Sequence, residues 1–129
     1  MMKNIVAAVL LTVATTGAMA ELVTVGSNGQ KTVYADTSTI RKNGYLVKMW
    51  DIFDFNSPQT AGTTTYLSSR DQTQYDCREE SMRILAMSNH SGHMGAGETV
   101  YYSAKQGEWM PVAPGTAARL LWNIACGQQ

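Results

Sequence analysis

The sequence lacks an excess of either charge. Ten Lys and Arg residues balance ten Asp and Glu residues in a chain of 129. A nucleic-acid-binding domain normally carries a basic face, and an acidic disordered tail carries the opposite excess, so this balance argues against both classes. The length suits one domain. We therefore expect a small globular protein that does not bind nucleic acid.

Motifs for catalysis and for cofactor binding are also missing. The chain has no G-x-S-x-G elbow, and its glycines at 92, 95 and 97 match neither the phosphate-loop nor the dinucleotide-binding pattern. Glu79 and Glu80 are neighbours, so on a strand they would point to opposite faces and could not act together. We expect no enzymatic activity and no cofactor.

Histidine is scarce, and both copies stand close together in one glycine-rich segment. His90, His93 and Met94 offer two imidazoles and a thioether, which copper accepts as ligands. Their spacing is no zinc pattern, and a glycine-rich loop does not preorganise ligands. We expect a solvated hairpin loop without a metal, and metal binding stays an alternative.

Long apolar runs are absent after the first 20 residues. Lys3, an apolar run over residues 5–13 and an Ala18-Met19-Ala20 cleavage site together predict a signal peptide over residues 1–20. The run is shorter than the ~20 residues that span a bilayer. The residue directly after Ala20 is Glu21 and not Cys, so we expect no lipid anchor. We expect residues 21–129 to form a single exported domain that spans no membrane and is periplasmic or secreted, with the cell surface as a further location.

Cysteine occurs only twice, as Cys77 and Cys126. An oxidising compartment outside the cytoplasm allows the two to pair. Two buried free thiols, or a metal site, are the alternatives. The metal alternative is weakened because the chain has no C-x-x-C pair.

Turn residues divide the exported chain into short pieces, as in an antiparallel sheet. We expect a capped turn at 36–40 and breaks at 43–44 and 56–58. At the C-terminus the period changes to helical, with Thr116 or Gly115 as N-cap and Gly127 as the end; Arg119 and Asn123 should face water. The fold class is therefore α+β, with about six strands in an antiparallel meander sheet that packs on one C-terminal helix. The expected strands cover residues 22–25, 31–35, 45–55, 63–77, 81–90 and 98–104.

Aromatic residues are dense, and most suit core or cross-strand positions. Tyr101 and Tyr102 are adjacent in an expected strand, so one of them should face outward. Trp109 lies in a connection between Gly107 and Pro111. Exposed aromatics are typical of partner surfaces, so Tyr101, Tyr102 and Trp109 form the candidate partner surface.

The order of several short motifs resembles the bacterial surface-adhesin protein E family over essentially the whole exported chain. The motifs are YADTSTI at 34–40, YDC at 75–77, SGHMGAGE at 91–98, WMPVAPGT at 109–116 and LWNIAC at 121–126. The resemblance implies an antiparallel sheet on a C-terminal helix, a disulfide between Cys77 and Cys126, and homodimer formation. It carries over no ligand residues, because the segment that matches the family's basic ligand region, residues 56–65, has no Lys or Arg.

The resemblance also implies a function. It indicates a non-catalytic adhesin-like protein that binds host matrix proteins of the vitronectin or laminin type. The alternative is a periplasmic, envelope-associated structural or interaction protein that uses the same fold without a host ligand.

Overall fold

The computed structural model describes residues 21–127, so the predicted signal peptide lies outside the described residues. Residues 21–127 form seven strands, a single 3-10 turn at His93–Gly95 and one α-helix. The strands are β1 (Leu22–Ser27), β2 (Lys31–Asn43), β3 (Leu46–Ala61), β4 (Thr64–Asp76), β5 (Ser81–His90), β6 (Thr99–Ser103) and β7 (Met110–Pro111), and the helix is α1 (Ala117–Ala125).

Strands β1 to β6 follow one another across a single antiparallel sheet in chain order. Sequential neighbours pair because short connections allow nothing else at low entropic cost. The predicted six-stranded meander is therefore confirmed. Strand β7 is an addition: its two residues pair with the start of β5, where Pro111 lies opposite Ser81.

Strand β2 continues through the segment 36–40, where the sequence predicted a capped turn. Its register with β3 shifts between Asp36, which lies opposite Trp50, and Arg41, which lies opposite Lys48. The Asp36 carboxylate accepts hydrogen bonds from the Ser38 backbone N–H at 3.2 Å and the Ser38 hydroxyl at 2.6 Å. The predicted side-chain bonding is thus present, but it builds a bulge inside the strand rather than ending it.

Strand β3 likewise continues through Asn56, Ser57 and Pro58, where the sequence predicted a break. The register with β4 shifts between Asp54, opposite Ser68, and Gln59, opposite Tyr66. Pro58 lies in this unpaired stretch, so its missing N–H costs no ladder hydrogen bond. The prediction of a break is wrong because a bulge accommodates the proline.

Helix α1 packs on one face of the sheet, which we call the helix face. On β3 this face carries Val47, Met49, Asp51 and Phe53, since alternate residues of a strand point the same way. The buried apolar residues of this layer are Val33, Ala35, Val47, Met49, Tyr75, Val112, Leu121, Trp122 and Ala125. The opposite side, which carries Trp50 and Ile52 on β3, is called the distal face.

The ends of α1 follow the sequence prediction, but its exposed side does not. Thr116 is the N-cap and accepts a hydrogen bond from the Arg119 N–H at 3.2 Å, and Gly127 has a φ of 68° beyond the last turn. Leu120 is 45% exposed. Arg119 is half-buried, because its guanidinium turns back to donate to the Val112 carbonyl at 3.1 Å and to pair with Glu80 at 3.2 Å. The expectation that only Arg119 and Asn123 face water is therefore wrong.

A disulfide joins Cys77 to Cys126 and confirms the predicted pairing. Cys77 lies in the turn between β4 and β5, and Cys126 follows the last helical residue. Close by, the Trp122 indole N–H donates to the Asp76 carbonyl at 2.9 Å. The bond and the indole together hold the C-terminal end of α1 against the sheet.

Candidate partner-binding face

The distal face is built from the even-numbered residues of β3 and β4. Register places Trp50 opposite Gln72, and Ile52 opposite Arg70. On β3 these residues alternate with the buried helix-face residues, so one strand supplies the core and the distal face together. The Arg70 guanidinium lies over the Trp50 ring, 4.8 Å from its centre.

A second arginine on this face holds one of the aromatics that the sequence singled out. Arg83 on β5 lies opposite Gln74, and its Nε donates to the Gln74 side-chain carbonyl at 2.8 Å. The Trp109 ring stacks on the same guanidinium at 4.4 Å. Trp109 is 39% exposed, so this arrangement fixes the indole without burying it.

The three aromatics proposed from the sequence do not share one face. Tyr101 pairs with Asn89 and Tyr102 pairs with Ser88, and neighbouring residues of a strand point to opposite sides. Register places Tyr102 on the distal face, in the row of Ser88 and Arg70, and Tyr101 on the helix face. Both are exposed, at 49% for Tyr101 and 63% for Tyr102, because β6 lies at the end of the six-strand path.

The segment 91–97 folds across part of the distal face. The Asp54 carboxylate accepts the Met94 backbone N–H at 2.8 Å and lies 3.2 Å from His93 Nδ1. The Ser68 hydroxyl donates to the Gly92 carbonyl at 2.6 Å and accepts from the Gly95 N–H at 2.8 Å. The sequence predicted a solvated loop here, but these hydrogen bonds hold residues 91–97 in an ordered conformation over part of the distal face.

The side chains of His90 and His93 make polar contacts with different residues. The His90 ring nitrogens contact the Ser88 hydroxyl at 2.7 Å and the Thr99 hydroxyl at 3.5 Å, whereas His93 contacts Asp54. Burial, and then the charge of Arg70, lower the pKa of His90. Within residues 21–127 no group of three or more His, Cys, Asp or Glu is placed to hold a metal ion. Metal binding by His90, His93 and Met94 would have to displace these hydrogen bonds.

The helix face contains a polar group that the sequence analysis missed. Asp51 and Asp71 lie opposite each other on β3 and β4, and Asp51 is only 1% exposed. The Thr73 hydroxyl donates to one Asp51 oxygen at 3.3 Å. Burial, and then the neighbouring Asp71, raise the pKa of Asp51, and burial raises the pKa of Asp71 to about 6. A signal existed in the sequence, because Asp51 is in phase with Val47, Met49 and Phe53.

No helix in the described part of the chain is long and apolar enough to cross a membrane. A family model described as surface-adhesin protein E matches residues 22–127. A comparison with curated proteins finds no matching relative.

Solved structures of Haemophilus influenzae protein E share the fold. Crystal form II has a TM-score of 0.61 at 12% identity, over 80% of this chain and 91% of that one. The selenomethionine form has a TM-score of 0.60 at 12% identity, over 84% and 95%. Protein E from a non-typeable strain has a TM-score of 0.57 at 15% identity, over 81% and 71%. At these identities the likeness shows the fold alone.

Proposed function

Since the chain belongs to the surface-adhesin protein E family, we propose that it is an exported, non-catalytic binding protein whose distal face contacts a protein partner. The family makes it an adhesin-like protein. The finer proposal is that host matrix proteins of the vitronectin or laminin type are the partners.

The observation that supports this function is the placement of Tyr102, Trp109 and Arg83 on the distal face. Tyr, Trp and Arg are the residue types that dominate binding energy in protein interfaces. Trp109 is already stacked on Arg83, which Gln74 holds in turn, so little side-chain freedom remains to be lost on binding. The face therefore offers one preorganised aromatic anchor, Trp109, and a second exposed aromatic, Tyr102.

A binding experiment tests this surface. Purified, oxidised protein is passed over immobilised vitronectin and laminin, and Trp109→Ala and Tyr102→Ala are compared with the parent. Loss of an interface anchor costs about 2 kcal/mol, so each variant should bind roughly 30-fold more weakly.

Tyr101→Ala is the matched control, since it removes an exposed tyrosine from the same strand but from the other face. It should bind like the parent. Binding that is lost equally in all three variants would contradict an interface on the distal face. A parent protein that binds neither ligand would contradict the host-matrix proposal.

The second candidate is a periplasmic, envelope-associated protein that uses the same face for a bacterial partner. It is favoured by the uncharged 56–65 segment, which offers no Lys or Arg to an acidic host ligand. Cell fractionation separates the two functions. Loss of the protein when intact cells are treated with protease supports adhesion, whereas protection on intact cells and release by osmotic shock support the periplasmic function.

Homodimer formation is proposed for the edge where β1 meets α1. An apolar groove of about 510 Å³ lies there, bordered by the exposed side chains of Val23 and Leu120. Sedimentation should show a dimer that Leu120→Asp converts to a monomer. A monomer at every concentration would refute it.

A further inference from the structure

A cavity lies between the helix face of the sheet and the first turn of α1, on the opposite side of the sheet from Trp109. Its volume is about 280 Å³. That is larger than the ~150 Å³ of an engineered apolar cavity that binds benzene, so a small organic group has room. Its polar wall comes from Asp51, Asp71 and Thr73. The rest of the lining is largely apolar, with Phe53, Met82, Ile84, Ala117, Ala118 and Leu121.

The polar wall is short of hydrogen-bond donors. One oxygen of Asp51 and one oxygen of Asp71 are buried and have no hydrogen-bond partner within residues 21–127. The ion pairs of the described chain join His93 to Asp54 and Arg119 to Glu80, so no basic side chain there pairs with either carboxylate. Buried acceptors left in this way are unfavourable and call for an outside donor.

The charge balance of the cavity selects the kind of donor. Burial raises the pKa of both carboxyls, so two full negative charges on the pair are disfavoured. The N-terminus of α1, at the other wall, contributes roughly half an elementary positive charge. A single positive charge therefore fits best. Ca²⁺ and Mg²⁺ prefer six or more oxygen ligands and gain nothing from the apolar lining. An alkylammonium group offers three donors on an apolar stem, which matches both walls.

We propose that this cavity binds a primary alkylammonium group, as carried by a lysine side chain or by a small free amine. The carboxylates of Asp51 and Asp71 accept its N–H donors, and its stem packs against Phe53, Ile84 and Leu121. The site lies on the other side of the sheet from the distal face, so this proposal can be tested independently of the proposed partner surface.

The first test is a titration of the ¹⁵N-labelled, oxidised protein with n-butylammonium chloride at pH 8. The amide signals of the cavity residues should shift and saturate. Asp51→Asn and Asp71→Asn should each raise the dissociation constant at least tenfold, because each removes a charge-assisted hydrogen bond. Glu98→Gln, which neutralises an exposed carboxylate, is the matched control and should bind like the parent. Circular dichroism of each variant checks that it is folded.

Matched ligands give the outcomes that overturn the proposal. n-Butanol carries the same stem without the charge, and equal shifts from it would show an apolar cavity only. Equal binding of n-butylammonium by the parent, Asp51→Asn, Asp71→Asn and Glu98→Gln would show non-specific attraction. An absence of saturable shifts would show that there is no site. Trp109→Ala should bind n-butylammonium normally, which separates this proposal from that of the distal face.

Two further probes identify the source of the group. Nα-acetyl-lysine N-methylamide presents the ammonium as a peptide does, and its norleucine analogue lacks the charge. Saturable binding of the lysine compound, with none of the norleucine compound, assigns the cavity to a protein lysine. Binding of n-butylammonium alone assigns it to a free amine.

Discussion

At the scale of single residues, the buried carboxyls of Asp51 and Asp71 are energetically unfavourable. A carboxyl in apolar surroundings favours its protonated form, and here the two face each other, with Thr73 and Tyr75 as the other polar neighbours on β4. Burial places the pKa of Asp71 at about 6, against 3.8 when unperturbed. The native state therefore binds protons more tightly than the unfolded chain does.

This linkage predicts how stability depends on pH. Because the folded pKa is raised, the contribution of Asp71 to stability is fully present below pH 3.8 and is lost as the pH rises through about 6. Asp71→Asn removes that loss, so the variant should gain up to about 3 kcal/mol over the parent at pH 8 compared with pH 4. Urea unfolding across this range measures it, with Glu98→Gln as the exposed control. Parallel profiles for parent and Asp71→Asn would show that the carboxyl titrates alike in both states.

At the scale of elements, α1 depends on which of two adjacent leucines faces the sheet. Leu121 is 2% exposed and packs in the core, whereas Leu120 is 45% exposed. The capped start at Thr116 and the bonded end at Cys126 set the rotation of the helix about its axis. The two side chains are chemically identical, so the difference in their burial comes only from the rotation of the helix.

The pair provides an internal comparison. Leu121→Ala leaves a cavity in the core and should lower the free energy of unfolding by about 2–5 kcal/mol. Leu120→Ala should cost about 0.5 kcal/mol or less, as exposed substitutions do. Urea unfolding at a low protein concentration, where the chain is monomeric, gives both values. Equal costs would mean that the helix is rotated from the orientation described.

At the scale of the whole molecule, strands β1 to β6 form a continuous sheet, whereas helix α1 follows only after a long connection. Residues 104–109, the short β7 and a further loop separate α1 from β6, and the helix returns across the sheet to lie over β1, β2 and β3. The Cys77–Cys126 bond closes this return over 49 residues of chain. In the chain-entropy account such a loop closure stabilises by about 4 kcal/mol.

Removal of the bond is therefore expected to affect the whole domain. Cys77→Ala/Cys126→Ala should lose about 2–5 kcal/mol of stability, as small secreted domains do. Thermal unfolding followed by circular dichroism measures the loss. The reduced parent protein is the control and should show a similar loss. An unchanged melting temperature in the double variant would show that the bond adds nothing to stability.

Local chemistry determined much of this fold. The sequence alone was sufficient for the meander, for the chain reversal at Gly44, for a helix start capped by Thr116 or Gly115 and for the cysteine pairing that the family motifs implied. Turns and caps depend on hydrogen bonds and backbone angles within a few residues, and these can be read from adjacent residue types.

Only the tertiary structure decided which face each side chain occupies. The bulges near Asp36 and Pro58, the separation of Tyr101 from Tyr102 and the burial of Asp51 against Asp71 all depend on register between strands. Register is set by contacts between residues far apart in the chain, and a shift of one residue moves every side chain to the other face. The distal face and the cavity lined by Asp51 and Asp71 are therefore products of the register of strand pairing, which the sequence alone does not specify.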